Sequence, residues 1–308
     1  MTSTFRLLSL LCLSLLGTPF CGCSKQPDPA RTPALTEKIA FPELGPPVQI
    51  EPGVRMYEAT IQRGGTPMKV WLYQPDKGAE KLPCVLIGPA GSHLIDGMKL
   101  AKGDQAEHLP YARAGFVVVA FAIDGAWPAA PNPSERDIIA AATAFQKAQG
   151  GLANARTALD FAIERVPALD SRRVYTAGHS SAATLALLVA SADPRIKACA
   201  AFAPATDVEG RIGGETIRFL AASIPGFAEF VKASSPKTHL GELKCPVFLF
   251  HAKDDTTVPS SQTSRFASDL ERTNSKVVYV EVPKGGHYQS MIREGIPRAI
   301  QWLQKLPN

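Results

Sequence analysis

The sequence predicts an α/β protein in which a mainly parallel, doubly wound sheet carries helices on both faces. Short apolar runs alternate with longer segments of helical spacing from about residue 85 to the end of the chain. Strands that are separated by helices are joined by right-handed crossovers, so this alternation builds a parallel sheet. The connection between the first two runs, near Gly64 and Gly65, contains no helix and indicates an antiparallel hairpin at one edge.

Eight strands are expected along the chain. They are residues 56–61, 70–73, 85–87, 116–121, 174–177, 198–202, 247–250 and 277–282. Helical spacing is found in residues 105–114, 137–164, 181–190, 260–272 and 289–306, with a break between helices at 150–151. The predicted domain, residues 54–308, is large enough for a single core of two packed faces.

The composition excludes several classes of protein. Of 308 residues, 45% are apolar and 20% are charged, which is typical of a globular chain and excludes disordered, collagen-like and coiled-coil proteins. The net charge of +5 is spread along the chain without a run of more than two basic residues. Neither a nucleic-acid partner nor a polybasic membrane patch is therefore expected.

Residues 1–22 have the layout of an export signal. Arg6 precedes an apolar stretch, residues 7–16, that is too short to span a bilayer comfortably. Gly22 and Cys23 resemble the lipobox of bacterial lipoproteins, in which the cysteine is acylated after cleavage. The resemblance implies lipidation of Cys23 and a membrane-anchored protein of a bacterial cell envelope. A secretory signal that is cleaved nearby and an uncleaved anchor are the alternatives.

Residues 23–53 are expected to form a tether between this anchor and the domain. Seven prolines occur between residues 24 and 53, and no apolar period accompanies them. Proline-rich segments of this kind act as semi-extended spacers.

A strand, a sharp turn and a helix meet at Ser180. The apolar run 174–177 leads into the string Gly-His-Ser-Ser-Ala at 178–182, and helical spacing follows. A nucleophile elbow needs small residues two positions before and after its serine, because strand and helix approach closely there. Gly178 and Ala182 fill those positions. The sequence therefore predicts that Ser180 is a nucleophile.

Two later loops supply the groups that would activate such a serine. Asp254 and Asp255 follow the run 247–250, and His287 follows the run 277–282. Both loops lie at the carboxyl ends of predicted strands, where doubly wound sheets place their ligands. A base and a carboxylate that orients it are what an acyl-transfer serine requires, in the order serine, acid, histidine.

These motifs resemble the α/β-hydrolase superfamily. Within it, the stretch Leu-Asp-Ser-Arg-Arg-Val at 169–174 is similar to the lead-in of prolyl oligopeptidase (S9) catalytic domains and of dienelactone-hydrolase-like and acetyl-xylan-esterase-like enzymes. The resemblance implies an α/β-hydrolase fold with an eight-stranded sheet, and a serine hydrolase without a cofactor. It assigns Ser180 as nucleophile, His287 as base and Asp255 as orienting acid, with Asp254 as the rival acid.

The implied reaction forms an acyl-enzyme from a small acyl ester or a peptide. An oxyanion hole would use the backbone N–H of Ser181 and one N–H of the loop after the third strand. In that loop the expected donor is Ala90; because Pro89 has no N–H, the sequence leaves the exact donor within residues 88–92 open. A carboxylesterase, a dienelactone-hydrolase-like enzyme and a non-catalytic surface-binding lipoprotein are the alternatives, and the sequence leaves the oligomeric state open.

Several other residues favour structural roles. His251 is expected to orient the acid loop, and the remaining histidines have no metal-ligand spacing, so no metal site is expected. Cysteines 84, 199 and 245 each begin an apolar run and are expected to be free thiols in the core. An apolar patch at 217–230 is expected either to line a substrate pocket as a cap or to pack as a short core helix.

Overall fold

The computed structural model describes residues 39–76, 80–128 and 133–307. The predicted export signal 1–22, the predicted lipidation site Cys23 and the predicted tether up to residue 38 lie outside the described residues. Within the described ranges, no helix has the length and apolar character needed to cross a bilayer.

The described residues form one sheet of nine strands. The strands are β1 (Val48–Glu51), β2 (Val54–Arg63), β3 (Thr66–Pro75), β4 (Leu82–Ile87), β5 (Val117–Phe121), β6 (Leu169–His179), β7 (Ile196–Phe202), β8 (Val247–Ala252) and β9 (Val277–Val282). Their spatial order is β1-β2-β3-β5-β4-β6-β7-β8-β9. Strands β4 to β9 pair in parallel, whereas β1, β2 and β3 pair antiparallel with their neighbours. The predicted parallel sheet with an antiparallel hairpin at one edge is confirmed.

Helices cover both faces of this sheet. They are α1 (Gln105–Arg113), α2 (Glu135–Lys147), α3 (Leu152–Arg165), α4 (Ser181–Ala192), α5 (Val208–Ile212), α6 (Gly214–Ala221), α7 (Phe227–Ala233), α8 (Ser260–Glu271) and α9 (Ile296–Leu303). One core cluster joins the sheet to α3, α4 and α8, and the other joins it to α1 and α9. Strand β4 contributes alternately to both clusters, as a doubly wound sheet requires.

The sheet has one strand more than the eight predicted from the sequence. Strand β1 lies inside the segment 23–53 that was expected to be a tether, and it pairs antiparallel with β2. Its four residues lie at the edge of the sheet, and none of them is fully buried, Val48 being 58% exposed. A short edge strand with so little buried surface has no apolar period, so the sequence pattern does not reveal it.

The chain is part of the folded domain from Ile39 onward, ahead of the predicted boundary at residue 54. The ring of Phe41 packs edge-on against Phe161 at 5.6 Å between centroids. Arg165 donates hydrogen bonds to the carbonyl oxygens of Phe41 and Pro42, each at 2.9 Å. Because Arg165 ends α3 directly before β6, this contact lies at the amino ends of the parallel strands.

The three cysteines, the helix break and the apolar patch 217–230 all lie within the described residues. Cys84 and Cys199 are buried, Cys245 is half-buried, and all three are free thiols as expected. The predicted break between helices is present, because positive φ angles at 149–151 separate α2 from α3. Most of the patch 217–230 packs with Leu94 and Ile95 in a third apolar cluster, which follows the carboxyl ends of β4 and β7.

Candidate active site

Ser180 lies between β6 and α4 in a strained backbone conformation, with φ 55° and ψ −122°. Its N–H donates to the carbonyl oxygen of Phe202 at 2.9 Å, and its own carbonyl oxygen accepts from the Thr184 N–H at 3.1 Å. A Cβ atom at Gly178 would lie 2.3 Å from the carbonyl oxygen of Ala182, so only glycine fits there. The predicted strand, turn and helix are therefore present, and the methyl group of Ala182 is accommodated in the core.

The acid loop after β8 and the loop after β9 bring Asp255 and His287 together. Oδ2 of Asp255 accepts a hydrogen bond from Nδ1 of His287 at 2.6 Å. Oδ1 accepts from the N–H groups of Thr257 and Val258 at 2.7 and 3.0 Å. With Nδ1 as the donor, the free electron pair of a neutral His287 ring is on Nε2, the nitrogen that a general base would use.

The charge on Asp255 is fixed by its hydrogen bonds. Burial alone would raise the pKa of this carboxyl, but hydrogen bonds from His251, His287 and two backbone amides outweigh burial. They hold the pKa of Asp255 well below its usual value. The carboxylate is therefore ionised at neutral pH and stabilises a positive charge on the His287 ring.

His251 has the structural role that the sequence predicts. Its ring is fully buried, and Nε2 donates to Oδ2 of Asp255 at 2.8 Å and to the carbonyl oxygen of Val258 at 3.0 Å. The hydroxyl of Thr263 on α8 lies 2.7 Å from Nδ1. His251 thus supports the acid loop through the same carboxylate oxygen that contacts His287.

Asp254, the rival acid, contacts the backbone of the histidine loop (residues 283–290) and not the ring of His287. Its carboxylate accepts from the N–H groups of Gly285 and Gly286 at 3.1 and 2.8 Å, and these two amides lower its pKa. A Cβ atom at Gly285, where φ is 124°, would lie 2.8 Å from Cβ of Ser290. Asp255 therefore contacts the ring of His287, and Asp254 contacts the backbone of the loop that carries this ring.

Ser180 and His287 are neighbours in space. His287 packs its ring against His179, the residue before Ser180, at 4.5 Å between centroids. In the part of the chain that the structure describes, no direct hydrogen bond joins the Ser180 hydroxyl to the His287 ring. Catalytic hydrogen bonds of unliganded enzymes are often long and tighten only with substrate, so this geometry is compatible with a serine and base pair.

The loop after β4, which contains Ala90, contacts the start of α4 through Ser181. The side-chain oxygen of Ser181 accepts from the N–H groups of Gly91 and Ser92, both at 3.1 Å. Those two amides are therefore occupied. The backbone N–H groups of Ala90 and Ser181 have no hydrogen-bond acceptor among the described residues. They are the pair left to bind a developing oxyanion.

Sequence reasoning missed two side chains that support this site. Thr263 is fully buried on the apolar face of α8, together with Phe266, Ala267 and Leu270. A hydroxyl on an otherwise apolar helix face is a signal that it has a buried partner. The hydroxyl of Ser181 gives no such signal, because its contacts are to a loop 89 and 90 residues away in the chain.

Metal binding in proteins needs several His, Cys, Asp or Glu side chains close together. Across residues 39–76, 80–128 and 133–307, no group of three or more His, Cys, Asp or Glu side chains is arranged to hold a metal ion.

Comparisons with known proteins place this geometry among hydrolases. The sequence model of the prolyl oligopeptidase family matches residues 140–306, which is more than half of the chain and contains Ser180, Asp255 and His287. Among curated proteins, no sequence is significantly similar to this chain.

Solved structures of esterases and peptidases are similar to the chain. An acetyl xylan esterase from Paenibacillus sp. R4 has a TM-score of 0.61 at 19% identity, over 84% of this chain and 88% of that one. A putative dienelactone hydrolase from Klebsiella pneumoniae has 0.58 at 16%, over 82% and 99%. The acylaminoacyl peptidase of Pyrococcus horikoshii has 0.60 at 16%, over 84% and 43%. At these identities the likeness shows a common fold, the α/β-hydrolase fold.

Proposed function

Because the chain belongs to the prolyl oligopeptidase family and is a serine hydrolase, we propose that it cleaves ester or peptide bonds through an acyl-enzyme on Ser180. The observation that carries this proposal is the 2.6 Å hydrogen bond between His287 and Asp255, beside a serine in a strained turn. An ionised carboxylate on one ring nitrogen leaves the other nitrogen ready to accept a proton.

In the proposed reaction, Nε2 of His287 takes the proton of the Ser180 hydroxyl while Oγ attacks the carbonyl carbon of the substrate. The oxyanion that develops is bound by the N–H groups of Ser181 and Ala90. Collapse of this intermediate breaks the bond to the leaving group, which receives the proton from His287 and departs as an alcohol or an amine. Water then attacks the acyl-enzyme by the same route, releases the carboxylic acid and restores Ser180.

A fluorophosphonate probe tests the nucleophile directly. We expect covalent labelling of the wild-type protein and no labelling of Ser180→Ala, with the adduct found on the peptide that contains residue 180. Ser191→Ala, a variant in the same helix α4, is the matched control and should label like the wild type. A properly folded wild-type protein that is never labelled would support the alternative of a non-catalytic surface-binding protein.

Substrate class is separated by comparing two series with the same acyl group. Aminoacyl esters and the corresponding aminoacyl amides should both yield an acyl-enzyme. The ratio of their kcat/KM values assigns the enzyme to the esterase or the peptidase side of the proposal. If the enzyme hydrolysed neither series, the proposed function would be contradicted.

We further propose that the protein is exported and anchored in a bacterial cell envelope through lipidated Cys23. The layout of residues 1–22 and the Gly22–Cys23 junction support this proposal.

A further inference from the structure

His179, the residue directly before Ser180, also contacts the loop that carries His287. Its Nε2 lies 2.9 Å from the backbone carbonyl oxygen of His287, and its side chain is 5% exposed. A carbonyl oxygen can only accept, so Nε2 carries the proton and donates this hydrogen bond. The contact joins the end of strand β6, at the candidate nucleophile, to the main chain of the candidate base.

Glu107, on helix α1, lies behind the same imidazole. Its Oε1 is 3.7 Å from Nδ1 of His179, and its side chain is 11% exposed. At this distance Oε1 makes no hydrogen bond with the ring, so Glu107 is placed to act on His179 through packing and electrostatic contact.

We propose that Glu107 and His179 form a second carboxylate–imidazole pair that positions His287 through its main-chain carbonyl. This inference rests on the proposed function, in which His287 is the base. The histidine loop is then held at three points: Asp254 holds its amides, Asp255 orients the ring, and His179 fixes the carbonyl. The first two contacts approach from the acid loop, whereas the hydrogen bond and the ring packing of His179 approach from the strand end that carries Ser180.

The test compares two substitutions at residue 179 with a matched control. His179→Met keeps the volume but removes the donor, and His179→Gln keeps an N–H donor near the position of Nε2. His239→Met is the control, because His239 makes the same kind of contact, from Nε2 to the carbonyl oxygen of Ala233 at 2.7 Å, away from the candidate active site.

Displacement of a catalytic group by about 1 Å costs on the order of 100-fold in rate, and this sets the expected loss of kcat for His179→Met. KM should change by less than about threefold, because His179 is not proposed to contact substrate. His179→Gln should return kcat to within about threefold of the wild type, and His239→Met should leave it unchanged. A His179→Met enzyme with wild-type kcat, or a His179→Gln enzyme no better than His179→Met, would overturn the proposal.

Glu107 is tested by a double-mutant cycle. Since Glu107 acts through His179, Glu107→Met should lower kcat in the wild-type background and have no further effect in His179→Met. Fully additive effects would show that Glu107 acts on its own.

Hydrogen exchange gives a readout that does not need activity. In the Ser180→Ala background, His179→Met should speed amide exchange in residues 283–290 while leaving α8 unchanged, and His179→Gln should restore protection. Unchanged exchange in this loop would overturn the positioning role even if catalysis were impaired. Failure of the proposed function is seen separately, as a wild-type protein that is not labelled by fluorophosphonate.

Discussion

Oδ2 of Asp255 accepts a hydrogen bond from Nδ1 of His287 at 2.6 Å, although the two residues are 32 positions apart in the chain. The adjacent carboxylate of Asp254 instead binds two glycine amides of the histidine loop. The two neighbouring aspartates thus have different partners: Asp255 contacts the ring of His287, and Asp254 contacts the backbone of the loop that carries it.

This division of roles predicts unequal effects of the same substitution. Asp255→Asn should lower kcat by about 10⁴-fold, because the imidazole loses its tautomer while the geometry is kept. Asp254→Asn keeps one acceptor for the loop amides and should cost about tenfold or less. Steady-state kinetics of the two variants measures both effects. If Asp254→Asn were the more damaged enzyme, Asp254 would be the orienting acid.

The hydroxyl of Ser181 should matter separately from its backbone N–H. Ser181→Ala removes the acceptor of the Gly91 and Ser92 amides, so the loop that presents the Ala90 N–H is no longer fixed. We expect kcat to fall by about 100-fold, the typical cost of one oxyanion donor. Ser191→Ala, which changes the same residue type further along α4, should have kcat within about twofold of the wild type, as expected for a substitution away from the site. If Ser181→Ala had wild-type turnover, the loop that this hydroxyl holds would not supply an oxyanion donor.

Activity should rise with pH, because a general base accepts a proton only in its unprotonated form. The pKa of Asp255 is lower in the folded protein than in the unfolded chain, where it is about 3.9. The stabilising contacts of this carboxylate are therefore fully present above the unfolded pKa and are lost only as the pH falls through the lower folded pKa. The acid limb of kcat/KM therefore reports the base and not Asp255. Profiles measured between pH 4 and 8 test this, and full activity at pH 4 would indicate a carboxylate base.

The elbow should not accept any side chain at Gly178. A methyl group there would meet the carbonyl oxygen of Ala182 at 2.3 Å. Gly178→Ala should therefore destabilise the protein by about 1–3 kcal/mol and abolish fluorophosphonate labelling. Ala182→Gly, which removes only the methyl group on the helix side of the turn and leaves this carbonyl in place, should fold and label normally. Thermal unfolding and labelling of the two variants provide the comparison, and a labelled Gly178→Ala protein would contradict the predicted turn.

The proposed anchor is tested by two cysteine substitutions. Mature protein should begin at Cys23 with acyl chains and should partition into detergent, because two or more chains hold a protein stably on a membrane. Cys23→Ala should release the protein or block processing, whereas Cys21→Ala, ahead of the proposed cleavage site, should not. Intact mass spectrometry checks both, and an unmodified N-terminus at another residue would exclude lipidation.

Local patterns predict the parts of this molecule that depend on local geometry. Gly178 and Ala182 predict the elbow because the turn itself requires small residues there. The contacts of Asp254 and His179 are different in kind, because their partners lie in the loop 283–290, which the folded sheet brings close. The same holds for β1, whose four residues become a strand through pairing with β2 and not through their own pattern.

The contact of Arg165 with Phe41 and Pro42 fixes the place at which the chain enters the folded domain. Arg165 precedes β6 and Ser180 follows it, and eleven residues of extended chain separate the two by about 30 Å. The polypeptide therefore enters the domain at one pole, and the candidate catalytic residues lie at the other. A label attached at Ile39 itself would lie at the pole opposite to Ser180.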